Sequence, residues 1–66
     1  MPQVQLNGET LQTLHSNLQL FLDEMGQTQG RFAVEIDGQL IPKSQLSNTQ
    51  LAGGMAIEVV QAVGGG

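Results

Sequence analysis

The sequence predicts an α+β fold in which a mixed sheet of four to five strands packs against one main helix. Three observations predict it. Two hairpin dipeptides, Asn7-Gly8 and Asp37-Gly38, each join short runs that read as strands, and both readily take up the positive φ that a two-residue turn demands. Leu18, Phe21, Leu22 and Met25 recur at i, i+3, i+4 and i+7, the apolar stripe of an amphipathic helix. A last alternating run, from Met55 to about Ala62, follows the glycine pair Gly53-Gly54.

Taken in order, Gln3-Val4-Gln5-Leu6 alternates polar and apolar as a half-buried strand. After the Asn7-Gly8 turn, Glu9 to Leu14 returns antiparallel with Leu11 on the core side. Ser16 or Asn17 caps the helix, Ser16 having Gln19 three positions later as in a capping box. Gly26 suits the left-handed position that ends a helix. Asp23 and Glu24 lie at the end where the dipole disfavours carboxylates, so packing must hold this helix. Met25 and Met55 read as core filler, and Leu20 lies off the stripe.

The run Phe32 to Asp37 places Phe32, Val34 and Ile36 on one face, with Glu35 and Asp37 on the other. Gln39-Leu40-Ile41 returns after Asp37-Gly38 and stops at Pro42. Lys43 to Gln50 is polar except for Leu46, which pins a helical turn or loop to the core. In the last strand Glu58 must face water, so Ile57 and Val59 point inward and Val60 points outward beside Glu58. With the last strand central and parallel to the first, this order of elements is a β-grasp arrangement.

Composition narrows the function. The chain has 66 residues and no cysteine, so it forms one small domain without disulfides, thiolate metal sites or persulfide chemistry of its own. Six acidic residues stand against Arg31 and Lys43, for a net charge of −4. Two cations cannot build the positive field that a phosphate backbone or an anionic membrane surface requires, so neither nucleic acid nor membrane is an expected partner. No run approaches the roughly 18 apolar residues of a membrane span, and the first residues lack the pattern of a signal peptide. A cytoplasmic location is expected. No catalytic residue is expected: His15 has no oriented partner in the sequence and reads as a surface or capping residue. Glu35 and Asp37 are a solvated strand face and a turn residue, not a metal pair.

The chemistry is expected at the end of the chain. Residues 1–63 form the folded domain, and Gly64-Gly65-Gly66 form a flexible tail. Without Cβ atoms such a tail can thread a narrow channel while the body stays outside. With Gly66 as the terminus, it delivers a carboxylate. A carboxylate is a poor acyl donor until a better leaving group replaces its oxygen, and adenylation with ATP by another protein supplies one. The protein's own part is presentation.

In order along the chain, Leu6-Asn7-Gly8, the Leu18-to-Met25 helix, Ala33-Val34 with Asp37-Gly38, Ile41-Pro42-Lys43, and Val63-Gly64-Gly65-Gly66 resemble the sulfur carriers of thiamine thiazole biosynthesis, the ubiquitin-like β-grasp ThiS family. The resemblance implies that Gly66 carries an adenylate and then a thiocarboxylate, with Gly64 and Gly65 as the threading segment. It implies docking through Glu58, Val60 and Val63. It implies three partners: an adenylating enzyme that uses ATP, a sulfur-transfer protein, and thiazole synthase, which takes the sulfur. No cofactor is expected on the chain itself. The sequence departs from the family pattern at Gly54-Met55, where an acidic residue is common, and at Leu46, where an aromatic residue is common. A molybdopterin-synthase small subunit, a ubiquitin-like protein modifier and a plain protein-binding domain are the alternative readings.

Overall fold

A computed structural model describes residues 2–62. Five strands, β1 (Gln3–Leu6), β2 (Glu9–Gln12), β3 (Phe32–Ile36), β4 (Gln39–Ile41) and β5 (Ala56–Gln61), form one sheet in the order β2-β1-β5-β3-β4. The last strand is therefore central, parallel to β1 and antiparallel to β3. The helix α1 (Leu18–Glu24) and a 3-10 helix (Lys43–Asn48) pack on one face.

The core lies between that face and the helices. Val4, Leu6, Val34, Ile57 and Val59 come from the strands, Leu18, Phe21 and Leu22 from α1, and Leu46 and Leu51 from the connection before β5. Strand alternation thus puts Ile57 and Val59 inside and leaves Glu58 and Val60 outside, as the sequence predicts. Leu46 pins its 3-10 turn to the core in the expected way.

Three expectations need correction. β2 stops at Gln12 rather than Leu14 because β1 begins only at Gln3 and offers no further partner. Thr13 N–H then donates to Pro2, the Thr13 hydroxyl accepts from His15 N–H, and Leu14 is left 84% exposed. Met25 is not core filler. It is the C-cap residue, one position past the last helical turn, and sits 38% exposed at the rim. The capping-box reading of Ser16 also fails. Helix α1 starts at Leu18, so Gln19 falls one position too early for the box, and Asn17 caps instead by accepting from Leu20 N–H at 3.0 Å.

The helix end is better built than its charges suggest. Gly26, at φ +72°, donates to Asp23 C=O, and Gln27 N–H donates to Leu22 C=O at 2.9 Å. This double return satisfies two carbonyls of the last turn. Asp23 is held by Gln19 and by the Thr28 hydroxyl. Glu24 lies 3.1 Å from His15 Nε2, so the lone histidine sits beside a helix-end carboxylate at the surface.

Candidate functional site

The strand that leads to the tail is clasped from both sides. Asn7 and Asp37 stand at the first positions of the two hairpin turns with nearly equal φ of 51° and 50°, each followed by a glycine at 87°. That is the two-residue hairpin conformation that Asn-Gly and Asp-Gly favour. Each turn also grips β5. Asn7 N–H donates to Ile57 C=O at 2.9 Å, and Asn7 Oδ1 accepts from Val59 N–H at 2.8 Å. Asp37 N–H donates to Ala56 C=O at 2.9 Å, and Asp37 Oδ1 accepts from Ala56 N–H at 3.1 Å.

The sequence shows Asn7 and Asp37 as turn formers only; their second role is tertiary. The available signal is residue choice, since glycine would serve the backbone at both positions but would offer β5 no acceptor. Asn7→Gly separates the two roles, because it keeps the φ preference and removes the amide. It is expected to cost about 1–2 kcal/mol in a urea titration, with faster hydrogen exchange at the Val59 amide. Unchanged stability and unchanged Val59 exchange would show that the clasp contributes nothing.

The outer face of the sheet is acidic. Glu35 and Glu58 are directly opposite in the β3–β5 register, an unfavourable like-charge pairing within the chain itself. With Gln5, Asp37, Ala56 and the two turn glycines Gly8 and Gly38 they line a shallow depression of about 260 Å³. Val60, 62% exposed, continues the same face toward the end of the strand, and exposed Leu40 stands opposite Glu35. Glu58 and Val60 are thus brought together on one accessible surface, as the sequence predicts. This surface can recognise apolar and cationic groups. Among the described residues no group of His, Cys, Asp or Glu is placed to hold a metal ion.

The two cationic residues lie near the end of β5. Ala62 N–H donates to Arg31 C=O at 3.0 Å. Lys43 Nζ sits 4.2 Å above the centroid of the Phe32 ring, and Phe32 is the register partner of Gln61. Val63, Gly64, Gly65 and Gly66, the remaining residues assigned to docking, threading and attachment, lie outside the described residues.

Comparison with known proteins places this architecture. No curated protein matches the chain. A solved structure of the thiamine biosynthesis protein (ThiS) from Geobacter metallireducens is similar, with a TM-score of 0.78 and 22% sequence identity over 97% of this chain and 99% of that one. At that identity the likeness establishes a common fold. The sequence model of the ThiS family matches residues 3–66, nearly the whole chain. The chain belongs to the ThiS family, ubiquitin-like β-grasp sulfur carriers that are not enzymes themselves.

Proposed function

We propose that Gly66 is the attachment point of a thiocarboxylate and that Gly64 and Gly65 thread it into the active sites of partner enzymes. One observation carries this reading: the family match runs through Gly66, and the strand that leads there is the central one, clasped by two turns. A strand so held gives the following residues a fixed origin. From Ala62, the four residues to Gly66 reach at most about 14 Å. The tail can therefore enter a narrow channel while Glu58, Val60 and Val63 dock the body outside.

The chemistry needs three displacements. A carboxylate oxygen of Gly66 attacks the α-phosphorus of ATP in the adenylating enzyme, and pyrophosphate leaves. A persulfide on a sulfur-transfer protein then attacks the carbonyl carbon, and AMP departs with the bonding electron pair. A thiol next attacks the transfer protein's sulfur in the acyl disulfide so formed, leaving a disulfide on that protein and releasing the thiocarboxylate on Gly66. Thiazole synthase consumes the resulting thiocarboxylate as the sulfur source of the thiamine thiazole ring. The chain supplies position and a leaving-group site, and its partners supply the catalytic groups.

The test is intact-mass analysis of the untagged protein incubated with ATP, the adenylating enzyme and a sulfur donor. The expected product carries the adenylate and then replaces one terminal oxygen by sulfur, with both changes mapped to Gly66 by fragmentation. A protein that binds the adenylating enzyme but never acquires either mass would overturn the assignment.

A further inference from the structure

One side of β5 lacks a neighbour over half its length. β1 pairs with it only at Ala56 and Ile57, whereas β3 pairs with Ile57 to Gln61. Hydrogen bonds fix which backbone groups point each way. Toward β1, Met55 C=O accepts from Gln5 N–H, Ile57 C=O accepts from Asn7 N–H, and Val59 N–H donates to Asn7 Oδ1. Toward β3 and the residues flanking it, Asp37 N–H donates to Ala56 C=O and Ala62 N–H donates to Arg31 C=O.

By this alternation Val59 C=O and both backbone groups of Gln61 point into the space beyond the end of β1. The β1–β5 pairing stops at Ile57, so β1 offers Gln61 N–H no carbonyl. The Asn7-Gly8 turn ends β1 there, and the Asn7 amide satisfies only the first of the exposed groups.

We propose that this edge receives an extended backbone segment of the adenylating enzyme, which adds as a strand beside β5. The proposal rests on the reading of the tail as threaded into that enzyme. Its chemistry is backbone recognition. An acceptor, a donor and an acceptor at Val59 C=O, Gln61 N–H and Gln61 C=O match the alternating groups of another strand. Position favours this occupant, because whatever receives Gly66 must surround the chain just beyond Gln61. Charge disfavours a second copy, which would bring one chain of net charge −4 against another. On the outer face the added strand would meet exposed Val60 and Glu58, so an apolar and a basic side chain fit there. Pairing on both sides of β5 would hold its last residues extended and aim the tail before the reaction begins.

Hydrogen exchange on the full chain tests this directly. The Gln61 amide is expected to exchange rapidly in the free protein and to slow at least tenfold with saturating adenylating enzyme. Val60, whose N–H already faces β3, is expected to be protected in both states. Gln61→Pro removes the donor without touching the β3 ladder. It is expected to raise the KM for adenylation about tenfold at unchanged kcat, the effect of one lost hydrogen bond.

Adenylation of Gly66 with no change at the Gln61 amide would overturn strand addition and leave the tail's role intact. Absence of any adenylate on the wild-type chain would instead overturn the functional reading and this proposal with it. Gln61 protection that rises with the concentration of the chain alone would make the occupant a second copy and overturn the assignment. Should Gln61→Pro fail to fold, the wild-type exchange result decides.

Discussion

A chain carrying one alanine after Gly66 is expected to lose sulfur loading by about a hundredfold or more while its urea midpoint stays unchanged. The added residue moves the terminal carboxylate by roughly 3.5 Å along an extended chain. A displacement of about 1 Å in a positioned reactant can already cost on the order of a hundredfold. The new carboxylate must also bring a Cβ into a channel suited to glycine. Stability should be indifferent, because the core among the described residues runs from Val4 to Val59 and an added alanine follows three glycines that have no side chain to bury. The measurement pairs single-turnover adenylation with intact mass, the latter to show that the alanine remains attached. Full activity with the alanine retained would mean that the carboxylate is not positioned through Gly66.

The sequence makes the frame of this molecule legible because its signals are local. Asn7-Gly8 and Asp37-Gly38 dictate their turns whatever surrounds them, and the alternation in β5 places Ile57 inside and Glu58 outside without reference to a partner. Features set by the extent of a neighbour escape it. Leu14 fits the periodicity of β2, but strand pairing ends where β1 ends. Met25 fits the stripe of α1, but the helix terminates one residue earlier, where Gly26 and Gln27 return to close the last turn. The grip of Asn7 on Val59 spans 52 positions, and no window of sequence contains both. The unpaired flank of β5 escapes for a similar reason, since it results from the length of β1. The acidic outer face is half legible: alternation puts Glu35 and Glu58 on solvent faces, but only the register sets them opposite each other.

Phe21→Ala is expected to cost about 3–5 kcal/mol, the range for truncating a buried phenylalanine. Phe21 is 1% exposed, the largest fully buried side chain, on a helix of only seven residues. At roughly 0.05–0.15 kcal/mol per residue, a domain of 66 residues has about 3–10 kcal/mol of stability in all. The substitution thus removes much or all of the margin, and circular dichroism should show a markedly lowered midpoint or a substantially unfolded chain. Leu20→Ala is the control: Leu20 is 54% exposed on the same helix, and its replacement should stay within about 0.5 kcal/mol.

The pair also separates folding from presentation. If only the folded fraction of Phe21→Ala engages the adenylating enzyme, the apparent affinity falls in proportion to that fraction. Excess enzyme then draws the chain back to the folded state by mass action, so loading should recover at saturation. The alanine-extended chain, fully folded with its carboxylate displaced, should not recover at any enzyme concentration. A Phe21→Ala protein whose midpoint hardly moves would contradict the packing described, and one that remains inactive at saturation would give Phe21 a part in loading beyond holding the sheet.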